Sequence, residues 1–186
     1  MRLNPETFAG SPAVVILDRD GTIVIDHGYL DDPAGLEFLP GAAEGLRQMY
    51  ARGHRLVVIT NQSGIGRGFF SEARLQQIHA RFVAMVQEAG ARIERIYYCP
   101  HAPDSGCECR KPGTALLLQA AAELDFVPRE SVVIGDKSSD VALGRAVGAR
   151  TIYIRGAEPV AAVAADHVAD NLTEAAQILA RTAVES

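Results

Sequence analysis

Five short apolar runs punctuate this chain: Val14 to Leu17, Leu56 to Ile59, Ile93 to Tyr98, Val132 to Ile134 and Thr151 to Ile154. A helical pattern follows each of them. Ala42 to Arg52 is rich in Ala and Leu and ends at Gly53, while Glu72 to Ala89 sets Leu75, Ile78, Phe82 and Val86 on one face before Gly90. Thr114 to Leu124, Val141 to Val147 and Thr173 to Ala183 complete the alternation. Strands that alternate with helices predict an α/β fold, a mostly parallel sheet with helices on both faces. With 186 residues, 48% of them hydrophobic, the chain is expected to form one domain over 1–186. It carries no internal repeat, low-complexity tract or linker. His79 falls within a helical pattern, pairs with no motif and reads as structural.

The first run, bounded by Pro12 and Gly21, leads directly into Asp18-Arg19-Asp20-Gly21-Thr22. The carboxylates therefore stand at the carboxyl end of a buried strand, where open α/β sheets bind ligands. If the extended backbone persists through Asp20, its period of two sends Asp18 and Asp20 to one side and Arg19 to the other. Two converging carboxylates require a metal ion or a retained proton, and either suits acid–base or nucleophilic chemistry. The plainer reading of these residues alone is a polar turn. A calcium loop does not fit: with Gly21 at its glycine position, Ile16 and His27 would stand where carboxylates are needed.

Charge and composition exclude several classes of function. No apolar stretch approaches the roughly 20 residues that span a bilayer, and Met1 to Gly10 lacks a basic region followed by an apolar one. The expectation is a soluble, cytoplasmic, monomeric protein with no membrane partner. A net charge of -5 argues against a nucleic-acid footprint, so any anionic ligand must be met by local cations. The chain has lysine only at Lys111 and Lys137, and both lie in motifs at strand ends. A compact ammonium is a point charge for phosphate that a flat guanidinium does not reproduce.

Two further strands also end in polar clusters, Thr60-Asn61-Gln62-Ser63-Gly64 and Gly135-Asp136-Lys137-Ser138-Ser139-Asp140. Singly, Thr60 or Asp136 reads equally well as a helix cap. Three such clusters at three strand ends converge on one rim of a parallel sheet. Gly64, Gly66 and Gly68 suggest a phosphate-cradling loop, but Phe69 stands where a dinucleotide fingerprint needs glycine, and no nucleoside-triphosphate loop occurs. A flexible rim with Arg67 facing the ligand is the simpler expectation. All three cysteines fall in Cys99-x-His101-x5-Cys107-x-Cys109, four soft ligands that match a closed, structural zinc site rather than a disulfide. Such a zinc would hold Arg110-Lys111-Pro112 in place.

In order and along most of the chain, Asp18-x-Asp20-Gly21-Thr22, Thr60-Asn61, Lys111 and Gly135-Asp136-x-x-x-Asp140 resemble the haloacid dehalogenase superfamily of phosphohydrolases. The resemblance implies a doubly wound, Rossmann-like sheet and Asp18 as a nucleophile that forms an aspartyl-phosphate. It implies Mg2+ held by the Asp18 carboxylate, the Asp20 carbonyl and Asp136, with Asp140 in support. Thr60, the Asn61 backbone and Lys111 would cradle the phosphoryl group, and Asp20 would protonate the leaving alcohol and then activate water.

A narrower resemblance is to the D-glycero-D-manno-heptose 1,7-bisphosphate 7-phosphatases, which make heptose precursors for bacterial surface polysaccharides. It rests on Asp26-His27-Gly28-Tyr29, on Asn61 to Gly68, on the Cys/His loop running into Arg110-Lys111-Pro112, and on Gly135-Asp136-Lys137. It implies a small phosphorylated sugar as substrate. Arg110 would bind the phosphate that stays on the sugar, with Asp26, His27, Gly28, Tyr29, Gln62, Ser63 and Lys137 lining the site. No insertion is long enough for a separate cap domain. Histidinol-phosphate phosphatases share the zinc loop and the aspartate pair and are the runner-up. A polynucleotide 3'-phosphatase and a zinc-stabilised binding module are more distant rivals.

Overall fold

The computed structural model describes residues 13–156 and 158–181; the beginning of the chain, Pro12 and the expected helix end at Ala183 lie outside the described residues. Six parallel strands form one sheet: β1 (Val14–Leu17), β2 (Arg55–Asn61), β3 (Ile93–Cys99), β4 (Val132–Gly135), β5 (Arg150–Ile154) and β6 (His167–Ala169). Their spatial order is β3-β2-β1-β4-β5-β6. The chain therefore winds outward from β1 in one direction, returns, and winds outward again from β4. That is the expected doubly wound topology, with its switch point between β1 and β4. The sixth strand was not expected. It has three residues, two of them only partly buried, too few to display a period.

Both faces of the sheet are covered, which is why its central strands are continuous apolar runs. Val15 and Leu17 face the side packed by α1 (Ala42–Ala51), α3 (Glu72–Glu88) and α6 (Leu172–Arg181), through Leu46, Met49, Ile78, Phe82 and Ala175. Val14 and Ile16 face the other side, against Leu116, Leu117 and Ala120 of α4 (Ala115–Leu124) and Leu143 of α5 (Ser138–Ala146). Helix α5 begins three residues before its apolar pattern does. The Asp140 carboxylate accepts from the Lys137 N–H at 3.1 Å and so caps the first turn.

Helix α2 (Ser63–Gly66) is a single turn where the glycines predicted a flexible rim. A Cβ on Gly64 would lie 2.3 Å from the Phe70 ring, and one on Gly66 would lie 2.5 Å from the Ala102 nitrogen. Gly66 also donates to the Pro100 carbonyl at 2.8 Å. Gly64 therefore serves close packing against Phe70, and Gly66 against the Cys/His loop. Among the described residues no helix is long and apolar enough to cross a membrane, and no separate cap domain stands over the sheet.

Candidate active site

Strand β1 ends at Leu17, but Asp18 stays tied to the sheet by donating its N–H to the Ile134 carbonyl at 3.0 Å. The chain then turns, with Ile23 and Val24 both donating to the Arg19 carbonyl. At the bend, Gly21 has φ +88°, and a Cβ there would lie 2.3 Å from Asp136 Oδ2. Glycine is required both for the conformation and for the approach. Thr22 Oγ1 donates to Asp136 Oδ1 at 2.9 Å, so the residue after the glycine orients the carboxylate for which the glycine makes room.

Lys111 is wholly buried and its Nζ lies 2.8 Å from Asp18 Oδ1, 2.7 Å from Asp140 Oδ1 and 2.8 Å from the Ile59 carbonyl. Burial alone would lower its pKa, but the Asp140 and Asp18 carboxylates outweigh it and hold the ammonium above its ordinary value. The backbone of this lysine is clipped by Asn61, whose Oδ1 accepts from the Lys111 N–H at 3.0 Å and whose Nδ2 donates to its carbonyl at 3.3 Å. The side chain of Asn61 thus acts on Lys111, a role its place in a strand-end cluster did not reveal.

Carboxylate oxygens of Asp18, Asp136 and Asp140 all lie within 4.8 Å of one another. One buried lysine does not balance them. Burial first, then the charge of Asp18, pushes Asp136 up to about 7, and burial likewise pushes Asp140 up to about 6. Asp140 is already engaged through both oxygens, with Lys111 and with the Lys137 N–H. Asp18 and Asp136 retain acceptor capacity toward a hard cation, and this all-oxygen set with a deficit of positive charge fits Mg2+.

Asp20 stands apart from that cluster. Its Oδ2 accepts from Gln62 Nε2 at 2.8 Å, and the same amide donates to Thr60 Oγ1 at 2.8 Å. Arg19 is buried near His79 of α3, although the extended backbone stops at Leu17. Its guanidinium curls back onto the Asp20 carboxylate, with Nη2 at 2.8 Å from Oδ2.

These groups open onto a cavity of about 390 Å3. Asp18, Asp20, Thr60, Asn61, Gln62, Ser63 and Lys111 line it from the strand ends. Asp26, Gly28, Tyr29, Arg110 and Lys137 line it from the surrounding loops, and Gly64, Phe70 and Ser139 join them. Phe70 carries no motif signal, and Ser139 belongs to the polar cluster at the end of β4. Lys137 Nζ lies 3.2 Å from Asp26 Oδ2; burial would lower its pKa, but Asp18, Asp136 and Asp26 together raise it. His27 is exposed and is not part of the lining. Nor is Arg67, whose guanidinium carbon sits 6.0 Å from the centre of the Tyr29 ring.

Beside the cavity, ligand atoms of Cys99, His101, Cys107 and Cys109 lie within 4.8 Å of one another. Cys109 Sγ is 3.2 Å from both Cys99 Sγ and His101 Nδ1, and none of the three cysteines is in a disulfide. Burial pushes the Cys99 thiol up to about 12, whereas a hydrogen bond from Ser105 leads the effects that lower Cys107 to about 6. Four soft donors around one point suit a tetrahedral metal ion.

Over 179 residues the chain is 37% identical to a D-glycero-beta-D-manno-heptose-1,7-bisphosphate 7-phosphatase of Haemophilus influenzae, covering 90% of this chain and 96% of the relative. The chain belongs to the heptose bisphosphate phosphatase family. The Escherichia coli K12 relative of the same name is 35% identical over 183 residues, 92% of this chain and 96% of that one. A family model described as HAD-hydrolase-like matches residues 108–175. Among solved structures, the D,D-heptose 1,7-bisphosphate phosphatase of B. bronchiseptica, complexed with magnesium and phosphate, superposes with a TM-score of 0.81 at 27% identity. That match covers 91% of this chain and 98% of that one. As a heptose bisphosphate phosphatase, the protein is a phosphoric monoester hydrolase of the haloacid dehalogenase superfamily.

Proposed function

We propose that this phosphatase removes the C7 phosphate of D-glycero-D-manno-heptose 1,7-bisphosphate in a Mg2+-dependent reaction with Asp18 as nucleophile. The observation that carries the proposal is the Asp18–Lys111–Asp140 cluster beside Asp136 at the switch point of the sheet, from which Asp18 and Lys111 line the cavity. Lys111 ion-pairs with Asp18 and contributes positive charge beside the incoming phosphoryl oxygens. Mg2+ on Asp18, Asp136 and the Asp20 carbonyl would neutralise charge on the transferring group.

In the first half-reaction an Asp18 oxygen bonds to phosphorus, the bond from phosphorus to the sugar oxygen breaks, and Asp20 gives that oxygen its proton. In the second, water attacks phosphorus, Asp20 takes the water's proton, and Asp18 leaves as carboxylate. Both carboxyl groups end as they began. Thr60 and Asn61 line the cavity where the phosphoryl group would sit, and Gln62 ties Thr60 to Asp20.

The lining of Asp26, Gly28, Tyr29, Ser63, Arg110 and Lys137 supports a polar, anionic substrate, and Arg110 and Lys137 are the cations for the phosphate that remains. A Zn2+ on Cys99, His101, Cys107 and Cys109 would fix the loop that carries both Arg110 and Lys111. With every coordination position filled by protein it has no place in the chemistry. The relatives named above specify the β-anomer, which is therefore the first substrate to test. A panel comparing kcat/KM on both heptose bisphosphate anomers, histidinol phosphate and fructose 1,6-bisphosphate, with Asp18→Asn as control, decides the matter. A heptose bisphosphate is expected to lead and Asp18→Asn to abolish turnover while remaining folded. A preference for histidinol phosphate, or activity in Asp18→Asn, contradicts the proposal.

A further inference from the structure

Arg19 is one of the largest fully buried side chains in the protein, with 2% exposure, and the reaction described above does not use it. A guanidinium stays charged, so a positive charge is fixed in the interior and needs a partner. Among the described residues its one ion pair is with its neighbour Asp20. Nε lies 3.1 Å from both Asp20 oxygens and Nη2 lies 2.8 Å from Oδ2, while Nη1 is buried without a partner. From α3 the nearby His79 contributes no charge: burial and the Arg19 cation lower it to about 3, leaving it neutral.

The contacts on Asp20 are lopsided. Oδ2 receives Nη2 of Arg19 and Nε2 of Gln62, both at 2.8 Å, whereas Oδ1 receives only the shared Nε at 3.1 Å. A carboxylate gripped at one oxygen by a planar fork and an amide cannot rotate freely about its last bond. Its other oxygen keeps lone pairs for a further partner, and Asp20 lines the cavity. A lysine at this position would keep the charge but lose the two-point grip.

We propose that Arg19 is a positioning residue: with Gln62 it clamps Asp20 Oδ2 and so presents Oδ1 to the leaving sugar oxygen and, afterwards, to the attacking water. This rests on the reading of Asp20 as acid and base. Phosphoryl transfer to Asp18 from p-nitrophenyl phosphate releases a phenolate that departs without protonation, whereas the sugar alkoxide needs its proton. Misplacing Asp20 therefore slows the first step for the sugar and spares it for the aryl ester.

The test measures rapid-mixing first turnovers and steady-state rates for wild type, Arg19→Lys, Arg19→Met and Asp20→Asn on heptose bisphosphate and p-nitrophenyl phosphate. Both Arg19 variants are expected to lower kcat on the sugar about 10- to 100-fold, part of the range ascribed to general acid–base catalysis. KM should change by less than about threefold, and the nitrophenolate burst should stay within about threefold of wild type, followed by slow turnover. Arg19→Met removes a buried charge without enlarging the side chain, and Arg19→Lys keeps the charge, so a fold defect confined to one leaves the other informative. Equal loss on both substrates in the first turnover, or no loss on the sugar, overturns the role of Arg19. If Asp20→Asn also fails to discriminate between the substrates, the acid–base reading of Asp20 is what has failed.

Discussion

Replacing Lys111 with methionine tests the electrostatic centre of the site. The ammonium is buried against Asp18 at 2.8 Å, Asp140 at 2.7 Å and the Ile59 carbonyl at 2.8 Å, so its loss strands two buried carboxylates at once. Removing one partner of a buried pair typically costs about 3–5 kcal/mol, because the other charge is left uncompensated. With a urea m-value near 2 kcal/mol/M, the unfolding midpoint of metal-free Lys111→Met at pH 7.5 should fall by roughly 1.5–2.5 M. The loss should shrink toward pH 5. Asp140 sits near 6 even with the lysine present, and without the lysine it holds its proton more tightly, so acid removes the stranded charge there. Urea melts at the two pH values, followed by circular dichroism, provide the assay. A midpoint shift under about 0.5 M at pH 7.5, or the same shift at pH 5, would refute this account of the cluster.

Asp136 binds its proton more tightly in the folded protein, its pKa rising from an ordinary 3.8 to about 7, so it adds stability below about pH 4 that is lost as pH rises to 7. That shift is worth roughly 4 kcal/mol to the metal-free protein, and a cation that accepts the ionised carboxylate restores it. Mg2+ at a hundredfold excess over its Kd should therefore stabilise the protein by about 2.7 kcal/mol at pH 7.5 and by distinctly less at pH 5, read as a Tm shift; equal shifts at both pH values contradict this. Cys107→Ser should lower bound zinc, Tm and affinity for the sugar bisphosphate together, because the same loop carries Arg110 and Lys111; unchanged affinity despite lost zinc separates the metal from the site.

Much of this was legible in the sequence because each strand-end cluster sits where the topology must deliver it. The run of Val14 to Leu17 announces a doubly covered strand, and a parallel sheet brings its carboxyl end beside Asp136. Cys99, His101, Cys107 and Cys109 are close enough in the chain for spacing alone to join them. What escaped depends on side-chain paths. Strand alternation sets Asp18 and Asp20 on the cavity side and leaves Arg19 out of the lining, but the ion pair of Arg19 with Asp20 depends on the turn after Leu17 and has no sequence signature. The clip of Asn61 on Lys111 joins residues 50 positions apart and has no local signature. The glycines of α2 predict only a flexible rim, yet contact with Phe70 and the Cys/His loop decides that turn. Strand β6 is too short to show a period, and its pairing with β5 is what makes it a strand.

The attack of Asp18 on phosphorus is the step on which the proposed reaction turns. Its most direct test is acid quenching of the enzyme during turnover of heptose bisphosphate with Mg2+, followed by peptide mass spectrometry. One phosphoryl group is predicted on the peptide carrying Asp18, labile to hydroxylamine as an acyl phosphate is, absent from Asp18→Asn, and accumulating in Asp20→Asn when p-nitrophenyl phosphate is the donor. Full turnover with no phosphoryl group on that peptide, or with one on another residue, would contradict the account.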